Sequence, residues 1–108
     1  MPHVSKQALA EQDLIDIWLY TFDEWGEKQA DRYLDDLADA FNLLAEQPLQ
    51  CRERSEFNHP VRIHHHAHHL IVYLAIEDGV NIVRVLHENM DVDSHLEEAE
   101  IRKGWGST

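Results

Sequence analysis

The stretch LIVYLAIEDGVNIVRVL, Leu70–Leu86, decides the fold. Two apolar runs rich in β-branched residues flank an Asp-Gly pair, which is the pattern typical of a β-hairpin. A two-residue turn at Asp78-Gly79 would pair Tyr73 with Arg84 and leave both on a face that is at least partly exposed. The other face carries only apolar side chains and is expected to pack on helices: Val72, Leu74, Val83 and Val85.

The segment just before this hairpin, RIHHHAHH, residues 62–69, places five histidines in six positions. We expect it to form another strand, which turns back into the hairpin through a loop of four residues or of two. Both loops pair His64 with His69 and Arg62 with Ile71, whereas a three-residue loop would move the first strand's side chains to the other face. One face of a three-stranded antiparallel sheet then carries Arg62, His64, His69, Tyr73 and Arg84.

Two amphipathic helices are expected before the histidine run. PHVS, residues 2–5, predicts a short opening strand, and Ser5 suits the N-cap of the helix that follows. Gly26 suits a C-cap between the helices, and Pro48 ends the second one. The first helix has one broad apolar stripe, which we expect to belong to the core and not to a cofactor site, formed by Leu14, Ile17, Trp18, Thr21, Phe22 and Trp25. The stripe of the second comprises Ala30, Tyr33, Leu34, Leu37, Phe41 and Leu44. Two such helices joined by a tight turn indicate a helical hairpin.

The composition is that of one globular domain spanning residues 1–108. Apolar residues make up 44% of the chain, and a chain of this length can build a single core of two layers. No apolar run approaches the ~20 residues of a membrane span, and the amino terminus lacks the apolar core of a signal peptide. A single cysteine, Cys51, cannot form an internal disulfide. These features predict a cytoplasmic protein that has no membrane partner.

The charge is strongly acidic and unevenly spread. The formal net charge is -12, and residues 1–50 hold three basic and eleven acidic side chains, a balance of -8. The phosphate backbone of nucleic acids needs a positive surface. Direct nucleic-acid binding is therefore not expected.

The histidine run suggests a metal site, because imidazoles two residues apart on a strand can bind zinc or nickel with a partner across the hairpin. No Cys or Asp lies inside the run, and nothing marks an open catalytic position. The pattern therefore predicts no cofactor and no functional metal, only weak adventitious binding by His64, His66, His68 and His69.

A catalytic centre that cleaves RNA would need a proton donor, a proton acceptor and a phosphate clamp. Arg62 and Arg84 are candidates for the clamp, and His69 or His87 for proton transfer. No Tyr or Lys lies near the last strand to complete such a centre. Each histidine is better interpreted as a hydrogen-bonded surface or core residue, and no catalytic residue is predicted.

Three segments together resemble one family. They are DLIDIWLYTFDEWGEKQADRYLDDLADAFNLLAEQP from Asp13, RIHHHAHHLIVY from Arg62, and DGVNIVRVLHENMDVDSHL from Asp78. These segments contain a Trp-Gly junction between the helices, a Pro that closes the second helix and an Arg in the last strand. In these features they resemble the ParE-type toxins of the RelE/ParE superfamily, which are the toxin components of bacterial toxin–antitoxin pairs. The resemblance runs without gaps from about Ser5 to Leu96 and leaves residues 97–108 as a C-terminal extension.

The resemblance implies an α+β fold in the order β-α-α-β-β-β, with an antiparallel two-helix hairpin packed on a small, mainly antiparallel sheet. It also implies a toxin that inhibits DNA gyrase without being an enzyme. A cognate, ParD-like antitoxin would neutralise the toxin by wrapping it in a hetero-oligomer. The residues on motif positions that are expected to contact target or antitoxin are Arg62, His69, Tyr73, Arg84, His87 and Met90.

The chain departs from the family at three glycine positions, which hold Cys51, Pro60 and Ala67. Alanine disfavours a tight turn with positive φ, so Ala67 favours the wider loop. The acidic charge is also unusual for the family. Two alternatives therefore stay open: an mRNA endonuclease on the same fold, and an attenuated module retained for binding its antitoxin or a metal.

Overall fold

The computed structural model describes residues 2–57 and 60–96. The elements follow one another as β1 (His3–Lys6), α1 (Ala8–Trp25), α2 (Glu27–Glu46), β2 (Glu53–Arg54), β3 (Val61–His66), β4 (His69–Ile76), β5 (Gly79–His87) and α3 (Val92–Leu96). The predicted C-terminal extension, residues 97–108, lies outside the described ranges. Within those ranges, no helix has the length and apolar character needed to cross a membrane.

The five strands form one sheet in the order β1-β5-β4-β3-β2. β1 runs parallel to β5, and all other neighbours are antiparallel. α1 and α2 pack on each other and on β5, and α2 also contacts β1. This confirms the predicted α+β fold, a helical hairpin on a mainly antiparallel sheet in the order β-α-α-β-β-β, to which the structure adds the two-residue β2.

The hairpin of β4 and β5 turns one residue earlier than predicted. Its turn is Glu77-Asp78, because Ile76 pairs with Gly79. Gly79 already belongs to β5 and lies against β1, where an added Cβ would be only 1.9 Å from the His3 carbonyl oxygen. The glycine is therefore required by the close approach of β1, and the predicted Asp78-Gly79 turn is wrong.

A β-bulge in β5 then changes the register again. Tyr73 pairs with Ile82, but the preceding Val72 pairs with Arg84, so Val83 is an extra residue on β5. The predicted pairing of Tyr73 with Arg84 is wrong, because Arg84 pairs with Val72. Tyr73 lies under the helices and is completely buried.

The sheet has an apolar core on each face. The core under α1 and α2 includes Ile71, Tyr73, Val80, Ile82 and Val85. The core on the opposite face is closed by Leu96 of α3 and contains Val61, Val72, Val83 and Leu86, with Leu74 packed against it. Of the four side chains predicted to pack on the helices, only Val85 does so. The other three face the opposite core, so the prediction is wrong for them. The bulge separates Val83 from Val85, which strict alternation would place on one face.

The turn between β3 and β4 is tight. His66, and not His64, pairs with His69 across a two-residue turn of Ala67 and His68. Ala67 adopts a φ of 52°, in the left-handed region that costs an L-residue about 1–2 kcal/mol. The predicted pairing of His64 with His69 and the preference for a wider loop are therefore wrong.

The helix boundaries agree with the prediction except at the first N-cap. β1 extends to Lys6, so Gln7 and not Ser5 is the N-cap of α1. Gly26, with a φ of 93°, ends α1 as predicted, and α2 ends two residues before Pro48. The predicted stripe of α2 is confirmed, because its central residues are buried: Ala30, Leu37, Phe41 and Leu44.

Replacing Ala67 by Gly should stabilise the protein. Glycine adopts a positive φ without the cost of about 1–2 kcal/mol that alanine bears, and loses only about 0.5–1 kcal/mol more backbone entropy. We expect the free energy of unfolding to rise by about 0.5–1 kcal/mol in urea denaturation. Ala75→Gly, at an exposed position within β4, is the control and should lower it. A loss of stability in the Ala67 variant would contradict the left-handed turn.

Candidate functional site

Histidines from neighbouring strands meet Tyr33 of α2 near the β3–β4 turn. The Tyr33 hydroxyl lies 2.6 Å from Nδ1 of His69, and the two ring centroids are 5.5 Å apart. His87, opposite His69 on β5, places its ring edge-on at 5.6 Å. His66 lies 5.9 Å from the Tyr33 ring. We call Tyr33, His66, His69 and His87 the aromatic cluster.

Burial keeps His69 uncharged at neutral pH. It lowers the pKa of the imidazole to about 4, and the nearby His87 adds to the shift because a second positive charge would repel the first. Burial also raises the pKa of the Tyr33 phenol. A protonated phenol therefore faces a neutral imidazole, and the Tyr33 hydroxyl donates to Nδ1 when the imidazole proton is on Nε2.

The other side of the turn carries a carboxylate held by two histidines. Nε2 of His65 lies 2.9 Å from one Glu88 oxygen, and Nδ1 of His68 lies 3.1 Å from the other. The hydrogen bond to His68 is the main cause that lowers the pKa of Glu88. Since all three side chains are well exposed, solvent screens these contacts and they contribute little stability.

The histidine run is thus divided between different partners. His65 and His68 contact Glu88, while His64, His66 and His69 lie on the face of the sheet that α2 covers. In residues 2–57 and 60–96, no group of three or more His, Cys, Asp or Glu side chains is arranged to hold a metal ion. The weak adventitious binding predicted for His64, His66, His68 and His69 stays a prediction.

Arg62 and Tyr73 lie beneath the loop that follows α2. The two residues are opposite each other on β3 and β4. The Tyr73 hydroxyl donates to the Pro48 carbonyl oxygen at 3.3 Å, and the Arg62 guanidinium donates to the Cys51 carbonyl oxygen. Burial raises the pKa of Tyr73. The predicted exposure of Tyr73 is wrong, so its side chain is out of reach of a partner.

Arg84 holds α1 against the sheet. Its Nε and Nη2 donate to the two carboxylate oxygens of Asp13 at 2.8 and 2.9 Å. The backbone N–H of Val85 donates to the same carboxylate at 2.9 Å. The side chains of Arg84 and Asp13 are only 12% and 13% exposed. The guanidinium predicted to meet a target is thus used inside the protein.

The predicted site residues do not form one exposed surface. Tyr73 is buried, Arg62, His69, Arg84 and His87 are partly buried, and Met90 is 46% exposed. The structure brings together His69 and His87 in the aromatic cluster, and Arg62 with Tyr73 beneath the loop. Asp13 and Tyr33 are the partners that the sequence did not reveal. The only signal is an Asp at helical spacing between the apolar Ala10 and Ile17, since a carboxylate on the buried side of a helix is usually paired.

Among the described residues, the exposed large apolar side chains are concentrated on α1. Ile15, Leu19, Phe22 and Trp25 are 54%, 51%, 43% and 73% exposed. Trp18 stacks on Phe22 with ring centroids 5.2 Å apart. We call these five side chains the α1 stripe. The prediction that Trp18, Phe22 and Trp25 belong to a buried stripe is wrong. At about 100° per residue, the apolar residues of α1 cover more than half of the helix circumference, but the sheet contacts only one side of the helix.

Comparisons with known proteins agree with this architecture. The family model described as "ParE toxin of type II toxin-antitoxin system, parDE" matches residues 4–92. The chain belongs to the ParE toxin family. Toxin ParE1 of Mycobacterium tuberculosis is 36% identical over 88 residues, which are 81% of this chain and 90% of the relative. Toxin ParE1 of Caulobacter vibrioides is 32% identical over 87 residues, which are 81% and 90% of the two chains.

A solved structure of the "Chromosomal ParDE TA system from P. aeruginosa" has the same fold. Its TM-score is 0.67 at 17% identity, and the similarity covers 81% of this chain and 96% of that one. As a ParE toxin, the chain is the toxin component of a type II toxin–antitoxin system, and an antitoxin is the partner that this membership implies. All six predicted site residues lie within the matched region.

Replacing Asp13 by Ala should strongly destabilise this ParE toxin. The change removes the carboxylate that accepts two hydrogen bonds from a largely buried guanidinium and one from the Val85 N–H, at a cost of about 3 kcal/mol in the free energy of unfolding. Urea denaturation measures the loss. Glu56→Ala, which breaks the exposed ion pair with Arg54, is the control and should change stability little. Equal stability of the two variants would show that Asp13 does not anchor α1.

Acid should destabilise the protein through His69. Its pKa is about 4 in the folded chain and near 6.5 in an unfolded one. Between these values the unfolded chain binds more protons, so stability is lost as the pH falls from about 6.5 towards about 4. In His69→Gln the difference in stability between about pH 7.5 and about pH 5 should shrink. His3→Gln, at an exposed position of β1, should keep the wild-type difference.

Proposed function

We propose that this ParE toxin inhibits DNA gyrase in the cytoplasm by binding it and not by catalysis, and that its cognate antitoxin neutralises it. The observation that supports the proposal is which side chains the protein uses internally and which it exposes. Four polar side chains on the family's motif positions are hydrogen-bonded within the fold, namely Arg62, His69, Tyr73 and Arg84. The α1 stripe instead presents large apolar side chains to solvent. Such a surface suits protein partners.

An mRNA endonuclease would use the same side chains differently. A phosphate clamp needs a cation that can reach the backbone of RNA, but Arg84 makes two hydrogen bonds to Asp13. Proton transfer near neutral pH favours a group whose pKa is close to 7, whereas the pKa of His69 is about 4. The net charge of -12 also opposes RNA. These features support inhibition by binding.

The α1 stripe supports an antitoxin that covers the helices. Exposed apolar patches of this kind mark interaction sites, and covering them releases ordered water and stabilises a complex. An antitoxin that folds on binding must also offset its loss of conformational entropy, so it needs a long contact. The stripe runs from Ile15 to Trp25, over most of α1.

Induced expression in a host without the antitoxin tests the target. We expect filamentous cells and DNA-damage signalling, because a gyrase stalled on cleaved DNA leaves broken chromosomes. Microscopy and a damage-responsive reporter measure this, and purified protein should inhibit gyrase supercoiling in vitro. Rapid arrest of translation without damage, or codon-specific mRNA cleavage, would show the endonuclease instead.

The same assay separates toxicity from neutralisation. Co-expression with the reading frame beside the toxin gene should restore growth. Leu19→Ser combined with Trp25→Ser should stay toxic but resist this rescue, because two side chains of the α1 stripe are lost. Tyr20→Ser removes a side chain that is 67% exposed on the same helix but lies off the stripe, and it should be rescued normally.

A further inference from the structure

A hydrogen bond between side chains links the two helices on the solvent side of their hairpin. The Trp18 indole Nε1–H donates to Oδ1 of Asp31 at 2.9 Å, so a carboxylate of α2 holds a side chain of α1. Asp31 is exposed and Trp18 is half-buried. Neither residue belongs to the two apolar cores of the sheet. The hydrogen bond therefore acts on the direction of the Trp18 ring and not on the packing of the core.

Phe22 holds the same indole ring from another side. The two rings stack with centroids 5.2 Å apart and planes only 10° from parallel, at the i and i+4 spacing that brings side chains together on a helix. The stack fixes the plane of the indole, and the hydrogen bond to Asp31 fixes which edge faces α2. Two contacts in different directions together select one rotamer of Trp18.

This aromatic pair lies within the α1 stripe, which the proposed function assigns to the antitoxin. The indole N–H is a donor, and a donor that a partner covers must find an acceptor in the complex. Without one, its lost contact with water opposes binding. Because Asp31 already accepts this hydrogen bond, a partner can cover Trp18 without leaving its polar atom unsatisfied.

We propose that Asp31 is a positioning residue for antitoxin binding: it holds Trp18 flat on Phe22 and satisfies the indole N–H before the antitoxin arrives. Immobilising a free side chain opposes association, so a stripe that is already ordered binds more tightly. The inference rests on the proposed function, in which the antitoxin covers the α1 stripe. The role requires a hydrogen-bond acceptor at position 31 and does not require a negative charge.

Three variants of the full-length toxin separate hydrogen bonding from charge. Asp31→Asn keeps an acceptor oxygen for the indole and removes the charge, whereas Asp31→Ala removes both. Asp35→Ala removes the same charge one helical turn further along α2, where the side chain is also exposed. Alanine favours a helix more than aspartate does, so neither alanine variant should unfold α2. Circular dichroism checks that all three are folded.

The free ¹⁵N-labelled toxin tests the positioning directly. In Asp31→Ala, the Nε1–H signal of Trp18, assigned with Trp18→Phe, should move towards the position of an unbonded indole. The ring signals of Phe22 should lose the ring-current shifts that the stack produces. In Asp31→Asn and Asp35→Ala both sets of signals should stay close to those of the wild type. An unchanged Trp18 signal in Asp31→Ala would overturn the proposal, whatever the result of the binding measurement.

Calorimetric titration with the purified antitoxin, the product of the reading frame beside the toxin gene, measures the effect on binding. Asp31→Ala should weaken binding about fivefold, whereas Asp31→Asn and Asp35→Ala should stay within about twofold of the wild type. Equal losses in Asp31→Ala and Asp31→Asn would show that the charge at position 31 matters. Equal losses in Asp31→Ala and Asp35→Ala would show that only the net charge matters. Either result, or no loss in Asp31→Ala, overturns the proposal.

The double variant Leu19→Ser with Trp25→Ser separates this inference from the proposed function. If the double variant binds the antitoxin more weakly while Asp31→Ala binds it as the wild type does, the α1 stripe is the contact and only the role of Asp31 fails. If the double variant binds as the wild type does, or if the wild type does not bind, the antitoxin does not cover the stripe. That part of the proposed function then fails, and the inference fails with it.

Discussion

The carboxylate of Asp13 joins the helical hairpin to the sheet. β1 pairs with β5 only as far as Ile82, and β5 continues beyond it to His87. The Asp13 carboxylate takes the place of a neighbouring strand there, because it accepts hydrogen bonds from the Val85 N–H and from Nε and Nη2 of Arg84. Removing one member of such a shielded pair is strongly destabilising. The position of α1 on the sheet, and thereby the direction of its exposed stripe, depends on this contact.

Much of the fold follows from the sequence because hydrophobic periodicity is strong. The two helices, the three long strands and their order are all predicted, and so are the cap at Gly26 and the end at Pro48. The cross-strand registers are not. An Asp-Gly pair favours a turn on local grounds, but Gly79 is needed where β1 approaches the backbone of β5. A long-range contact decided the register, and a local pattern does not contain it.

The tight turn at Ala67 also shows a long-range contact overriding a local preference, but here a turn forms where the local residue disfavours it. Local chemistry disfavours alanine at a positive φ, yet the turn forms with a φ of 52°. Eight residues of β4 pair with β5, and this long ladder fixes β4 independently of its turn with β3. The strain at one exposed residue is small beside the backbone hydrogen bonds that the ladder supplies.

The candidate site is predicted less well than the fold, because residue type does not reveal which partner a polar side chain has. Arg84 is the clearest example. Its position was identified from the family motif, but its contact with Asp13 joins residues 71 positions apart. The same holds for Tyr33 and His69, which are 36 positions apart. Side chains that a motif identifies can thus stabilise the fold as well as meet a partner.

The exposed surfaces of the protein differ in chemistry, and this difference affects how it can recognise more than one macromolecule. The α1 stripe is apolar, whereas the surface between α2 and β3 carries the carboxylates of Asp36, Asp39 and Glu46. Apolar burial supplies affinity with little selectivity, while charge complementarity discriminates between partners. A toxin that carries both kinds of surface can bind its antitoxin tightly and reject unrelated ones. Because the carboxylates of Asp36, Asp39 and Glu46 and most of the α1 stripe are exposed, these side chains can change in sequence without disturbing the Asp13 contact that positions α1.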